Sequence, residues 1–224
     1  MSNMPEDTYN RLFQLIQSSE NKELECREFL QYAKTNLVTE TVSKFVYVEK
    51  EHRGNSGDSD YIISCNTSDE TGVEAVKAYI WELKAPQCYI FEKDNENRLR
   101  PTKELFHAEN QLLHYFHERK GCEQFRNEFG VTHSDNVHFG GIIIGCHARR
   151  IKGEFEADKG NKLFEKALMI RKKYLYEPLH IRIIHWDYIL DLLKPPSALT
   201  RTEVEVNIPS QVLDSNKIVL ESST

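Results

Sequence analysis

The feature that most constrains the fold is a short apolar run, VHFGGIIIGC, at residues 137–146. No charged side chain interrupts this run, and Ile142–Ile144 shows no alternation with polar residues. A continuous apolar run of this length is typical of a central strand that is buried on both faces. The sequence therefore predicts a sheet that is covered on both sides.

The other segments predict how that sheet is built. Helices are expected over 5–18, 19–36, 102–119, 160–175 and 186–193, and strands over 42–49, 60–65, 76–84, 137–146 and 180–185. Polar, glycine-containing stretches at 51–60 and 66–72 are interpreted as turns. Three consecutive strands followed by two helix-to-strand steps predict an α/β fold, in the α+β sense of a mixed sheet with helices on both faces.

Composition narrows the class of protein. With 224 residues, 29 Lys+Arg and 35 Asp+Glu, the formal net charge is −6, which excludes a uniformly basic nucleic-acid-binding surface but leaves room for a local basic groove. The five cysteines form no CxxC pair, which disfavours a zinc knuckle or a disulfide scaffold. The first residues show no signal-peptide pattern and no apolar run approaches a membrane span. We expect a cytoplasmic protein with free thiols and no membrane partner.

Three regions are expected along the chain. Residues 1–19 are interpreted as a helical extension, residues 20–195 as the main domain and residues 196–224 as a polar tail. Residues 202–208 are a weak strand candidate, so the tail is either disordered or adds a strand at an interface.

The residues that indicate chemistry lie on the second and third predicted strands. Asp60 opens one strand, and Glu82 and Lys84 stand two apart on the next, so their side chains share a face. If the strands pair, Asp60 and Glu82 converge and, with the carbonyl of Leu83, offer the hard oxygen ligands that Mg²⁺ prefers. Lys84 would lie beside that metal, where an ammonium group can orient the attacking water, help to deprotonate it, or stabilise charge in phosphoryl transfer.

An ordinary solvent-exposed face explains most such charge patterns. Here Tyr79, Trp81 and Leu83 make the opposite face of the strand apolar, which is typical of an internal strand. A polar pair on an internal strand is less easily explained by exposure alone.

Four segments, in order, resemble one family. These are D60-YII with YIWE82-LK84-AP, then H107-AENQ111-LLHY115-FHE, then VHFGGIIIGCHAR, and finally LHIRIIHWDYILDLL. Together they resemble the PD-(D/E)XK nuclease superfamily and, within it, the Shedu anti-phage defence nucleases. The resemblance covers roughly residues 20–194.

The resemblance implies a restriction-endonuclease-like core and a Mg²⁺-dependent DNA endonuclease, with Mn²⁺ as a possible substitute. Asp60 and Glu82 would be metal ligands, Lys84 the catalytic lysine and Gln111 a helper near the scissile phosphate. An acidic residue on the preceding helix often joins the metal ligands in this superfamily. Glu25 is the choice here, with Glu28 as the alternative.

Some positions depart from the family pattern. Ser59 stands where a proline is expected, and Asp58 is a rival ligand to Asp60. On a helical wheel, Glu109 lies closer than Gln111 to the inward stripe, whereas the family pattern favours Gln111, so either residue can reach the site.

Arg149, Arg150 and Lys152 follow the buried strand and are either a charged loop or a groove for DNA phosphates. The resemblance also implies a homo-oligomer, and the acidic net charge fits an enzyme that needs oligomerisation or a regulatory partner. The competing hypotheses are a non-catalytic nucleic-acid-binding or assembly module on the same fold, and a nuclease of restriction or repair.

Overall fold

The computed structural model describes residues 7–54, 57–68, 71–95 and 97–195, and the side chains of residues 49–59 lie outside the description. The helices are α1 (Thr8–Gln17), α2 (Glu23–Arg27), α3 (Leu30–Leu37), α4 (Lys103–Gly121), α5 (Glu123–Glu128), α6 (Ala157–Arg171) and α7 (Trp186–Leu192). The strands are β1 (Thr41–Gly54), β2 (Gly57–Ser68), β3 (Glu74–Leu83), β4 (Phe91–Asn95), β5 (Arg98–Pro101), β6 (Val137–Ile143), β7 (Ile151–Lys152) and β8 (Arg182–Ile184).

The main sheet is mixed, with five strands in the order β1-β2-β3-β6-β8. The first three strands form an antiparallel meander, and β6 and β8 then continue the sheet in parallel with β3. The long connections that parallel strands require contain α4, α5 and α6.

Alternate residues of the internal strands point into two separate hydrophobic cores, one on each face of the sheet. Tyr61 and Trp81 belong to one core, which contains residues of α1, α2, α3 and α7. Ile62 and Ile80 belong to the other, which contains residues of α4, α5 and α6. The predicted mixed sheet with helices on both faces is therefore confirmed, because each face is buried by its own helical layer. Since α1 shares the first core through Leu12, it packs within the same unit as the sheet.

Several boundaries differ from the sequence predictions. The helix expected over 19–36 is two helices, because the amide of Phe29 bonds the carbonyl of Cys26 at 3.0 Å in a tighter turn that lets Cys26, Phe29 and Leu30 all reach the core. Most of the turn expected at 51–60 lies in strands instead, since β1 and β2 stay paired as far as Gly54 and Gly57. Residues 66–68, also expected in a turn, complete β2.

A second, three-stranded sheet in the order β5-β4-β7 and the short helix α5 were not expected from the sequence. The predicted strand at 202–208 and the whole of the predicted tail lie outside the described residues. None of the helices in the described part of the chain combines the length and the apolar character needed to cross a membrane.

Two glycines of β6 allow Trp81 to pack directly on the backbone. A Cβ on Gly140 would lie 2.1 Å from the indole Nε1 of Trp81, and one on Gly141 would lie 2.1 Å from the carbonyl oxygen of Arg182 in the neighbouring strand β8. The register between β3 and β6 shifts at this point, where Ile80 pairs with Phe139 and Trp81 with Gly141. The close packing of Trp81 therefore depends on the absence of side chains here.

We expect Gly140→Ala to destabilise the protein by about 1–3 kcal/mol, because Trp81 is fully buried and the added methyl group would overlap its indole ring. Urea unfolding followed by circular dichroism measures the change. Gly121→Ala at the end of α4 is the matched control, because its Cβ meets nothing within 4 Å. Equal unfolding midpoints for the two variants would contradict this account of the packing.

Candidate functional site

The structure brings Asp60, Glu82 and Lys84 together where β2 and β3 meet. Tyr61 pairs with Trp81, so Asp60 and Glu82 occupy the next position of the antiparallel pair and face the α4 side of the sheet. The amide of Leu83 donates a hydrogen bond of 2.8 Å to Oδ2 of Asp60. This bond holds the Asp60 carboxyl group against the end of β3.

Glu82 is the most deeply buried member of this acidic cluster, which we define as Asp60, Glu82 and Lys84. Its side chain is 1% exposed, and Oε1 accepts a hydrogen bond of 2.5 Å from Nζ of Lys84. Its other oxygen, Oε2, is buried and has no hydrogen-bond partner among the residues that the structure describes. A buried carboxylate oxygen without a donor is costly, and either a bound cation or a proton shared with the neighbouring Asp60 carboxyl group would satisfy it.

The electrostatics of the cluster follow from burial and from the proximity of two acids. Burial, and then the neighbouring charge of Asp60, raise the pKa of Glu82 well above its usual value. Burial also raises the pKa of Asp60, against the Leu83 amide bond and the charge of Lys84. For Lys84, burial alone would lower the pKa, but the charge and hydrogen bond of Glu82, together with Asp60, raise it. Lys84 is therefore an ammonium group that compensates only part of the acidic charge.

A third acid, Glu23 at the start of α2, also approaches the cluster. Burial and the charge of Asp60 raise its pKa, whereas the charge of Lys84 and a hydrogen bond from the amide of Ala85 lower it. Sequence reasoning missed this residue because it assumed one continuous helix over 19–36. The only available signal was an acidic residue in the first turn of that helix.

The structure does not bring the predicted Glu25 to the cluster. Its carboxylate lies 3.2 Å from Nζ of Lys22, and its side chain is 48% exposed. The alternative, Glu28, follows α2, is exposed, and lines a surface groove with Glu25 and Arg11.

On α4, Gln111 reaches the cluster side through Tyr115. Nε2 of Gln111 lies 3.4 Å from the hydroxyl of Tyr115. Burial, and then the charge of Glu82, raise the pKa of that buried hydroxyl, which places Tyr115 in the field of the acidic cluster. Tyr115 is thus a further polar group at the site, and its spacing from Gln111 was the signal in the sequence.

Glu109, the alternative to Gln111, forms its hydrogen bonds with residues outside the acidic cluster. Its carboxylate accepts hydrogen bonds from Arg171, one of them 2.8 Å long from Nε, and another of 2.5 Å from the hydroxyl of Tyr176. Both partners belong to the segment formed by α6 and the π-helix Lys172–Tyr176 that follows it. Glu109 therefore joins α4 to that segment.

The predicted basic residues follow β6 and pack against the segment after Lys84. The guanidinium of Arg149 lies 5.4 Å from the ring centre of Tyr89, and its backbone carbonyl accepts a bond from the amide of Ile90. Arg150 stacks over Phe164 at 5.1 Å and bonds Oδ1 of Asn161, whereas Lys152 is exposed on β7. Their side chains combine aromatic and polar contacts at this surface.

The donor set suits a hard cation only if other ligands complete it. Within the described part of the chain, no group of three or more His, Cys, Asp or Glu side chains is arranged to hold a metal by itself. Asp60 and Glu82 nevertheless supply paired carboxylates, one with an oxygen that lacks a donor. This fits Mg²⁺, which commonly retains water and phosphate oxygens beside one or two carboxylates. The side chain of Asp58, the rival ligand, lies outside the description.

We expect the cluster to make stability depend on pH. Because the folded-state pKa values of Asp60 and Glu82 are raised, the folded chain binds more protons than the unfolded chain above the usual carboxyl range. The two carboxyl groups therefore stabilise the folded chain fully at pH values below the usual carboxyl range. This stabilisation is lost as the pH rises through their raised pKa values. In EDTA, Asp60→Asn should flatten this loss of stability above the usual carboxyl range, since it removes the charge of Asp60 that helps to raise the pKa of Glu82.

Urea unfolding of wild type and Asp60→Asn across that pH range tests this expectation. Glu25→Gln is the control, because Glu25 is exposed and contacts Lys22 rather than the acidic cluster. Parallel pH profiles for wild type and Asp60→Asn would contradict the electrostatic account.

No protein-family model matches the chain, and comparison with the curated proteins finds no similar sequence.

Proposed function

We propose that this chain is a metal-dependent DNA endonuclease of the PD-(D/E)XK type, with the acidic cluster as its active site. The observation that carries the proposal is the meeting of Asp60 and Glu82 beside Lys84, with one Glu82 oxygen buried and unsatisfied. Ordinary surface charge does not explain a carboxylate that is 1% exposed. The mixed sheet and its two helical layers are compatible with the restriction-endonuclease-like core that the resemblance implies.

In this proposal Asp60 and Glu82, with the carbonyl of Leu83, would hold Mg²⁺ or Mn²⁺. Such a cation, when bound, supplies Lewis-acid polarisation of the phosphate and lowers the pKa of water. Lys84 offsets negative charge on the scissile phosphate, because its ammonium group already lies at the end of β3. In the same proposal, the Gln111 amide and the Tyr115 hydroxyl are polar groups that face the substrate from the α4 side.

The proposed DNA path extends from the cluster towards Arg149, Arg150 and Lys152. Phosphate contacts by such side chains position a duplex and carry no sequence information. We propose, further, that the protein acts as a homo-oligomer in anti-phage defence, as the Shedu resemblance implies. Size-exclusion chromatography with light scattering tests the oligomer independently of cleavage, and a strictly monomeric protein would contradict that part.

Incubation of the purified chain with plasmid and with linear DNA tests the activity. Cleavage is expected with Mg²⁺ or Mn²⁺, none in EDTA, and none from Asp60→Asn with either metal. Absence of cleavage by the wild-type protein under every condition would favour the competing hypothesis of a non-catalytic module. Equal cleavage by Asp60→Asn would show that the activity arises elsewhere.

A further inference from the structure

A second candidate site lies beside residues 137–140 of β6 in the main sheet. The short strand β8 pairs with Gly141–Ile143 of β6, so residues 137–140 have no strand partner on that side in the described part of the chain. A cavity of about 500 Å³ lies against these residues, which is within the usual range for small-molecule sites. None of the acidic-cluster residues lines it.

Aromatic rings form much of the lining of this cavity. Phe116 of α4 stacks on Phe139 with ring centres 3.7 Å apart, and Tyr79 of β3 stacks on His138 at 5.5 Å. Flat aromatic surfaces favour a planar ring as the bound group, because stacking adds to the burial of apolar area.

Positive side chains lie around the same cavity. Lys120 stands over the ring of Phe116 at 5.6 Å and has only a long contact, 3.5 Å, to the largely exposed Asp135. Arg182 is held by one hydrogen bond to the carbonyl of Asn36 and lies 5.5 Å from the ring centre of Trp81. No carboxylate of the described residues is within ion-pair distance of Arg182. The donors of both cations remain largely available to a ligand.

Two acids line the cavity, and Asp135 is the one that lies 3.5 Å from Nζ of Lys120. The more closely paired of the two is Glu40. Its carboxylate lies 2.6 Å from Nζ of Lys77 and accepts a second hydrogen bond, of 3.0 Å, from the hydroxyl of Tyr79. Arg182 is therefore the lining cation that has no carboxylate partner among the described residues, and its guanidinium group suits an anionic group of a ligand.

His138 adds an unsatisfied polar atom. Its Nε2 is buried and has no hydrogen-bond partner among the described residues. Burial, followed by the positive charges of Lys77 and Lys120, lowers the pKa of the ring, with only Glu40 acting against them among its principal influences. Because Nε2 is enclosed, a ligand bonds it once the neutral imidazole ring turns towards the cavity.

We propose that this cavity binds a nucleoside monophosphate, with the base against the aromatic lining and the phosphate between Lys120 and Arg182. A planar ring and an anion are combined in one ligand because the aromatic surfaces, Lys120 and Arg182 line the same cavity. The site is separate from the acidic cluster, and the proposal does not depend on nuclease activity.

Isothermal titration of the full-length chain with the 5′-monophosphates of adenosine, guanosine, cytidine and uridine tests the proposal. Adenosine without phosphate and inorganic phosphate without a ring separate the two halves of the ligand. Lys120→Ala and His138→Phe should each weaken binding about five- to tenfold, the first by loss of a charged contact and the second by loss of the ring nitrogen. Lys166→Ala on α6 is the control, and circular dichroism confirms that each variant is folded.

The expected result is that at least one monophosphate binds at least about tenfold more tightly than either fragment and that only the cavity variants weaken it. No binding of any of the four at about 1 mM would overturn the proposal. It would also be overturned if inorganic phosphate bound as tightly as the nucleotide, or if folded Lys120→Ala and His138→Phe bound it like the wild type.

Discussion

Replacing Lys84 with alanine should reduce metal-dependent DNA cleavage by at least about a hundredfold, the usual consequence of removing one preorganised charge-stabilising group. Nζ of Lys84 lies 2.5 Å from Oε1 of Glu82, and the lysine side chain is only 17% exposed. The variant loses the positive charge that would face the scissile phosphate. Single-turnover cleavage of a labelled duplex with Mg²⁺ measures the effect.

Two further variants test whether the loss of cleavage in Lys84→Ala is specific to this lysine and its charge. Lys22→Ala removes a lysine that also contacts carboxylates, but its partners Glu20 and Glu25 lie at the surface. This variant should therefore cleave DNA like the wild type. Lys84→Arg keeps the charge and should retain more activity than Lys84→Ala. If Lys84→Ala cleaves at the wild-type rate, the assignment of the active site to the end of β3 is wrong.

Replacing Arg171 with methionine should destabilise the protein by about 3–5 kcal/mol, because it leaves a buried carboxylate without its cation. Glu109 is 5% exposed, and Arg171 donates to both of its oxygens. The hydroxyl of Tyr176 would remain as a donor but carries no compensating positive charge. Urea unfolding measures the change in free energy.

The double variant Glu109→Leu with Arg171→Met separates loss of the ion pair from loss of packing. Removing both charges should restore much of the stability, since apolar replacements of a buried pair are often close to neutral. A change below about 1 kcal/mol for Arg171→Met alone would contradict a structural role for this pair.

The acidic cluster could be predicted from sequence because local rules determine it. Two-residue periodicity puts Glu82 and Lys84 on one face, and antiparallel pairing of neighbouring strands brings Asp60 opposite Glu82. Neither step requires knowledge of distant residues. The two-layered mixed sheet was predictable for a similar reason, since a strand without polar alternation has to be covered on both faces.

The remaining ligand candidates depended on tertiary packing. Glu23 rather than Glu25 lies near the cluster, because Glu23 interacts with Asp60, Lys84 and Ala85 whereas Glu25 pairs with Lys22 at the surface. The choice between Glu109 and Gln111 depends on Arg171, which is 62 residues away in sequence. A helical wheel gives the inward direction of a side chain but not the partner that it meets.

The small sheet was missed because its strands are short and charged and one pairing is long-range. Phe91 of β4 pairs with Ile151 of β7, which lies beyond α4, α5 and β6 in the chain. No local periodicity indicates such a contact.

Titration of the DNA-free protein with Mn²⁺, followed by electron paramagnetic resonance or calorimetry, tests most directly whether the acidic cluster is a metal centre. The wild type should bind Mn²⁺, and Asp60→Asn should bind it at least about tenfold more weakly, because one of two charged oxygen ligands becomes neutral. Glu25→Gln should bind like the wild type, since Glu25 is paired with Lys22 at the surface. Equal Mn²⁺ binding by wild type and Asp60→Asn, or no binding by the wild type, would contradict the metal centre on which the proposed nuclease depends.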